Sequence, residues 1–115
     1  MVKKNPEEIS LNEYLDKEKT TILFIRVVPA QDLKTIEEFV VSLICTIGEE
    51  HCEIIRFDST KKEPPNVHRF YNKPPTKQYI EKDKSFETVE ELMNHIRENW
   101  ANYLLRYKEK YNKNT

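Results

Sequence analysis

The chain is 115 residues long, 37% hydrophobic and 34% charged, with 19 basic residues against 20 acidic ones and a formal net charge of −1. That length holds one domain around one core, and the composition is polar without being that of a disordered chain. The near-cancelling charge excludes a broadly basic nucleic-acid coat, and no stretch approaches the roughly 18 apolar residues that a membrane-spanning helix needs.

Residues 1–19, MVKKNPEEISLNEYLDKEK, read as a polar lead-in with one helical turn around Pro6–Leu15, and residues 20–115 as a single α+β domain. The lead-in has no apolar run able to serve as a signal peptide, which sets the expectation of a cytoplasmic protein. In that compartment Cys45 and Cys52 are expected as reduced thiols. Their spacing matches no zinc signature, so no metal is expected, and no Gly-rich loop exists to cradle a nucleotide. No cofactor is expected either.

Thr20–Val28 is rich in β-branched and aromatic residues and ends at Pro29, the pattern of a strand; PAQD then supplies turn chemistry. Leu33–Ile47 reads as one long strand rather than a short helix, because Phe39, Val41, Leu43, Cys45 and Ile47 alternate. Gly48, the chain's one glycine, sits where a tight hairpin needs positive φ, and Cys52–Ser59 is the return strand. A two-residue Gly48–Glu49 loop places Cys45 opposite Cys52 and Arg56 across from Val41. A loop longer by an odd number of residues aligns Ile55 and Phe57 with the apolar face of the previous strand. It leaves Ile54, Arg56 and Asp58 on the other side. The longer loop is preferred, because it sets apolar against apolar.

Pro64–Pro65 forbids helix in residues 61–66 and favours an extended loop there. Val67–Tyr71 and Thr76–Glu81 follow as short strands, completing an antiparallel β-meander of four to five strands. The last third predicts a helix over Thr88–Tyr111, about 36 Å long, opened by a capping box of Thr88 and Glu91. Val89, Leu92, Met93, Ile96, Trp100, Leu104, Tyr107 and Tyr111 form its apolar stripe. The fold class is therefore α+β, a meander packed against one long C-terminal helix whose end overhangs the sheet.

Residues 56–71, RFDSTKKEPPNVHRFY, hold most of the chemistry. Arg56 and Asp58 share a face of their strand, and His68 and Arg69 point to opposite sides of the next. If Val67 and Tyr71 face the core, His68 joins Arg56 and Asp58; if Phe70 does, Arg69 joins Arg56 instead. RNA cleavage without a metal needs a proton carrier and a cation for the charged phosphorane. His68 is the candidate acid or base, since imidazoles titrate near neutrality. Arg56 or Arg69 would take the phosphate, Asp58 would orient, and Tyr71, Lys77 and Tyr79 would add contacts. The bland alternative is that Arg56, Asp58 and Arg69 form cross-strand ion pairs. On the helix, Trp100, Tyr103 and Tyr107 can stack on bases or form a dimer or partner interface.

Three segments carry a resemblance. EFVVSLICTIGEEHCEIIRFD holds an arginine–aromatic–aspartate, STKKEPPNVHRFY holds a His-x-aromatic, and FETVEELMNHIRENWANYLLRY follows as a terminal helix. In this order residues 38–107 resemble small, mostly uncharacterised prokaryotic proteins related to the TumE-like toxins of toxin–antitoxin pairs. The resemblance implies a β-meander backed by one helix, with Arg56, Asp58 and His68 at the family's most distinctive positions and a cognate antitoxin or other protein as partner. The chain departs from those proteins where they often carry His-Gly after the aspartate; Lys61 and Lys62 and a proline loop stand there instead. Two functions are expected from this. One is a non-enzymatic protein-interaction module, with a homodimer as one form it can take; the other is a metal-independent ribonuclease-like toxin that binds RNA and acts through His68 and Arg56. No membrane association is expected.

Overall fold

Alternation with a period of two governs residues 9–59 and a helical period governs residues 86–111, and the two packed together make the fold. The computed structural model describes residues 8–111. Its elements are β1 (Ile9–Tyr14), β2 (Thr21–Pro29), β3 (Ile36–Ile47), β4 (Glu50–Ser59), β5 (Asn66–Arg69), β6 (Thr76–Tyr79) and α1 (Phe86–Tyr111). The strands form one six-stranded sheet in chain order, β1 to β6, with every neighbouring pair antiparallel. The α+β class and the meander are as expected, but the sheet has six strands rather than four or five.

The additional strand is β1, where a helical turn was expected around Pro6–Leu15. Residues 1–7 of that lead-in lie outside the described residues. Ile9–Tyr14 instead pairs along its whole length with Ile22–Val27. The turn that folds it back is built on Asp16, whose Oδ1 accepts the backbone N–H groups of Thr20 at 2.9 Å and Thr21 at 3.0 Å. Lys19 takes a φ of 59° to close it.

In β2 the burial alternates along every residue: Leu23, Ile25 and Val27 point into the core, while Ile22, Phe24, Arg26 and Val28 stand on the other face. β3 continues the pattern with Phe39, Val41, Leu43 and Cys45 inward. The loop to β4 is the two-residue Gly48–Glu49 form, not the longer one expected, and Cys45 faces Cys52. Gly48 alone in the loop has positive φ, 65°, which fits a type II′ turn and its match to the twist of the strands.

The shorter loop does not put Arg56 across from Val41, because the register shifts between Leu43 and Ile44. Ile44 pairs with Glu53 and Leu43 with Ile55, so Ile54 is the extra residue of a β-bulge. Beyond it Ile55 and Phe57 line up with Leu43 and Val41, and Arg56 and Asp58 with Ser42 and Val40. The apolar match that favoured the longer loop is thus achieved in mid-strand. Ile54, expected beside Arg56 and Asp58, is fully buried instead.

The helix begins two residues earlier than expected and on a different cap. Ser85 Oγ accepts the Thr88 backbone N–H at 3.1 Å, and the Ser85 carbonyl accepts Val89 N–H at 3.2 Å. Ser85 is therefore the N-cap, and Thr88, the expected cap, is the third helical residue. Thr88 and Ser85 hydroxyls both donate to Asp83 Oδ1, at 2.5 and 2.6 Å. Val89, Leu92 and Ile96 enter the core against β2, β3 and β4. Each such buried aliphatic side chain contributes roughly 1.5–3 kcal/mol. At its far end Tyr111 Oη donates to the carbonyls of Phe70 and Asn72, both at 3.1 Å, which ties the last helical turn to the β5–β6 connection. Among the described residues no helix is long and apolar enough to cross a membrane.

Candidate functional site

The face of the sheet away from α1 is read in rows across the strands. One row runs Phe24, Ser42, Arg56, His68, Lys77; the next runs Arg26, Val40, Asp58, Asn66, Tyr79. Pleat alternation puts all of these side chains on one side. Because Val67 and Tyr71 are buried at 1% and 7% exposure, His68 falls on the open face with Arg56 and Asp58. This is the first of the two arrangements left open by the sequence.

Arg56 is held at both ends. Its Nε donates to Asp58 Oδ2 at 2.8 Å and its Nη1 to Glu53 Oε1 at 2.8 Å. Ser42 Oγ donates to the other oxygen of Glu53 at 2.6 Å. His68 Nε2 stands 3.3 Å from Asp58 Oδ2. Asn66 Nδ2 donates to Asp58 Oδ1 at 3.0 Å and also to the Asp58 and Pro64 carbonyls. Asn66 has no exposure at all, and its Oδ1 is buried without a hydrogen-bond partner, a cost that the three bonds from its amide nitrogen offset. Phe70 completes the cluster: the His68 ring lies parallel to it at 5.9 Å, and the Arg56 guanidinium sits 5.4 Å from its centroid.

At the β6 edge Lys77 Nζ and Tyr79 Oη both donate to Glu63 Oε2, at 2.5 and 3.1 Å. The Lys77 bond holds the Glu63 carboxyl below its usual range, with Tyr79 adding to it, and the same pair raises the Lys77 ammonium. Arg56 and Lys77 are therefore each paired with carboxylates, Arg56 with Glu53 and Asp58 and Lys77 with Glu63, and the face is not a cationic patch.

Two of the sequence candidates are not brought to this cluster. Arg69 points to the helix side, where its Nη1 donates to Gln78 Oε1 at 2.7 Å. Tyr71 is buried beneath α1, stacked on Tyr103 at 5.4 Å and under the Arg106 guanidinium. Trp100, Tyr103 and Tyr107 are half-buried against the core from the helix. Burial, then a bond with Cys52, pushes the Tyr107 phenol up to about 12. Sequence reasoning missed Glu53, Asn66, Glu63 and Phe70. Glu53 escapes any alternation argument, because the bulge at Ile54 separates its parity from that of Arg56; Asn66 was legible only as a turn residue beside two prolines. Among the described residues no group of three or more His, Cys, Asp or Glu side chains is placed to hold a metal ion.

Beside the charged cluster the same face carries Ile22, Phe24, Val40 and Ile44, all half-buried. Ile22 lies directly across from Ile44. No described element covers them.

No curated protein and no solved structure matches the chain. The pattern that defines the family described as "Domain of unknown function (DUF7718)" matches residues 3–113. With nearly its whole length inside that match, the chain belongs to the DUF7718 family.

Proposed function

We propose that the protein is a non-enzymatic interaction module of a toxin-like family, and that its partner on the helix-free face of the sheet is a second copy of itself. One observation carries this reading: Arg56 is spanned by Glu53 and Asp58 at 2.8 Å each, on the same face as Ile22, Phe24, Val40 and Ile44, which no described element covers. An arginine already balanced by two carboxylates has little attraction left for a phosphate. A neutralised polar network bordering an apolar patch is instead the make-up of a protein interface. Four strands about 4.8 Å apart and about 30 Å long present roughly 600 Å², close to the roughly 800 Å² per partner of a stable pair. The formal net charge of −1 sets up little repulsion between two copies. Sedimentation velocity at about 100 μM, a concentration at which a micromolar pair is formed, tests it. The wild type sediments as a dimer and Phe24→Glu as a folded monomer; a monomeric wild type overturns the reading.

A second reading, a ribonuclease-like toxin, has one observation in its favour. Asp58 Oδ2 lies 3.3 Å from Nε2 of His68, and a carboxylate beside one ring nitrogen is the placement from which an acid orients a general base that works through the other. Induced expression that arrests growth and degrades RNA, with both effects lost in His68→Ala, favours this reading. Unaffected growth favours the interaction module.

A further inference from the structure

A helix with its side chains is about 10 Å across, whereas six strands at about 4.8 Å spread over about 24 Å. One helix cannot cover such a sheet. α1 lies over β2, β3 and β4; on the helix side of β5 and β6 Val67 is buried, Arg69 is half-buried and β6 is exposed. Between those strands and the first half of the helix runs an open groove of about 630 Å³, the size of a small-molecule site.

Its accessible apolar lining is Ile80 with the rings of His95 and Tyr103, above the buried Ile55, Phe57 and Val67. The cation at its side is Arg69. Arg26, Arg56 and Arg97 each hold a carboxylate, but among the described residues Arg69 pairs with none, bonding only the neutral Gln78 amide. A guanidinium with donors to spare, in a groove also lined by Ile80, His95 and Tyr103, is complementary to an anion with an apolar body. The other charges of the groove set the size of that anion's charge. Lys82 is paired with Glu91 at 3.4 Å, while Glu98 also lines the groove and adds a negative charge. The formal charges of the lining, Arg69 and Lys82 against Glu91 and Glu98, sum to zero, so attraction for an anion is confined to the Arg69 guanidinium, and a second negative charge such as that of a phosphate monoester meets no further unpaired cation. On the helix wall the His95 ring and the Tyr103 hydroxyl are 2.5 Å apart, and burial raises the Tyr103 phenol, so it stays a neutral hydrogen-bonding group.

We propose that this groove binds a small monocarboxylate with an aromatic or branched apolar body. Arg69 takes the carboxylate in its fork of donors, and Ile80 with the rings of His95 and Tyr103 covers the body. The groove lies on the opposite side of the sheet from Arg56, so its test and that of the dimer are independent.

The test is a two-dimensional amide NMR titration of the full chain with 4-phenylbutyrate and, in parallel, with its neutral amide. Saturable shifts are expected at Val67, Arg69, Ile80 and His95, with a dissociation constant on the order of 1 mM for a ligand of that size. The neutral amide binds about tenfold or more weakly, and Arg69→Gln, with an unchanged far-UV spectrum, loses affinity for the carboxylate by a similar factor. Absence of saturable shifts up to about 20 mM, twentyfold above the expected constant, overturns the proposal. So does equal binding of acid and amide, or a set of shifts centred on Arg56 and His68.

Discussion

Arg56 Nε and Asp58 Oδ2 stand 2.8 Å apart on the same face of β4, and that single carboxylate also meets His68 and the amide of Asn66. Asp58 is thus the hub of the cluster, nine-tenths buried. Its removal leaves Asn66 Nδ2 with one acceptor fewer and Arg56 dependent on Glu53. Asp58→Ala is expected to destabilise the fold by about 2–3 kcal/mol. Asp58→Asn costs less, because an amide oxygen still accepts from Arg56 and Asn66. Urea unfolding of both variants measures the difference.

Ser85 and Thr88 compete for the role of helix cap, and the bonds assign it to Ser85. Ser85→Ala should cost about 1 kcal/mol. Glu91, the other half of the expected capping box, is engaged with Lys82 instead. Glu91→Ala should therefore leave the thermal midpoint of unfolding almost unchanged.

Gly48 has φ of 65°, and a Cβ added there meets nothing within 4 Å. Gly48→Ala therefore isolates the backbone term of the hairpin. A loss of about 1 kcal/mol is expected, growing for Gly48→Val, whose branched side chain tolerates this conformation worst. Equilibrium unfolding of the two variants supplies the comparison.

The hydroxyl of Thr20, followed by the backbone N–H groups of Thr20 and Thr21, holds the Asp16 carboxyl below its ordinary 3.8. A depressed acid contributes stability that is present above pH 3.8 and is lost as pH falls through the lower folded value. Thermal unfolding on the acid side should show this loss in the wild type and a shallower one in Asp16→Asn.

Tyr107 behaves in the opposite sense. Its phenol is raised from 10.0 to about 12, so its neutral form is favoured in the folded chain. That contribution is full below pH 10 and disappears as pH climbs through about 12. Tyrosinate absorbance should show a late-titrating group that is missing in Tyr107→Phe.

Helical periodicity made α1 legible from Thr88 onward, and alternation made β2, β3 and the shared face of Arg56 and Asp58 legible. β1 was hidden because it is an edge strand. Its apolar residues Ile9 and Leu11 are each 46% exposed, so it lacks the buried stripe that marks an interior strand. The side taken by His68 depended on whether Val67 and Tyr71 or Phe70 entered the core, a choice made by the packing of Tyr103 on Tyr71. Arg69 followed from the same choice and left the cluster for the groove. The bulge had no local signature, since Glu53, Ile54 and Ile55 continue an ordinary strand composition.

The extra residue at Ile54 has a consequence for how this hairpin tolerates change in length. It divides the ribbon into a distal tip, from Ile44 to Glu53, and a proximal stem, in which Arg56 and Asp58 reside. One residue inserted or deleted at Gly48–Glu49 inverts the tip alone if the bulge migrates or vanishes to absorb it. The tip can then diverge while the orientation of the charged stem stays protected.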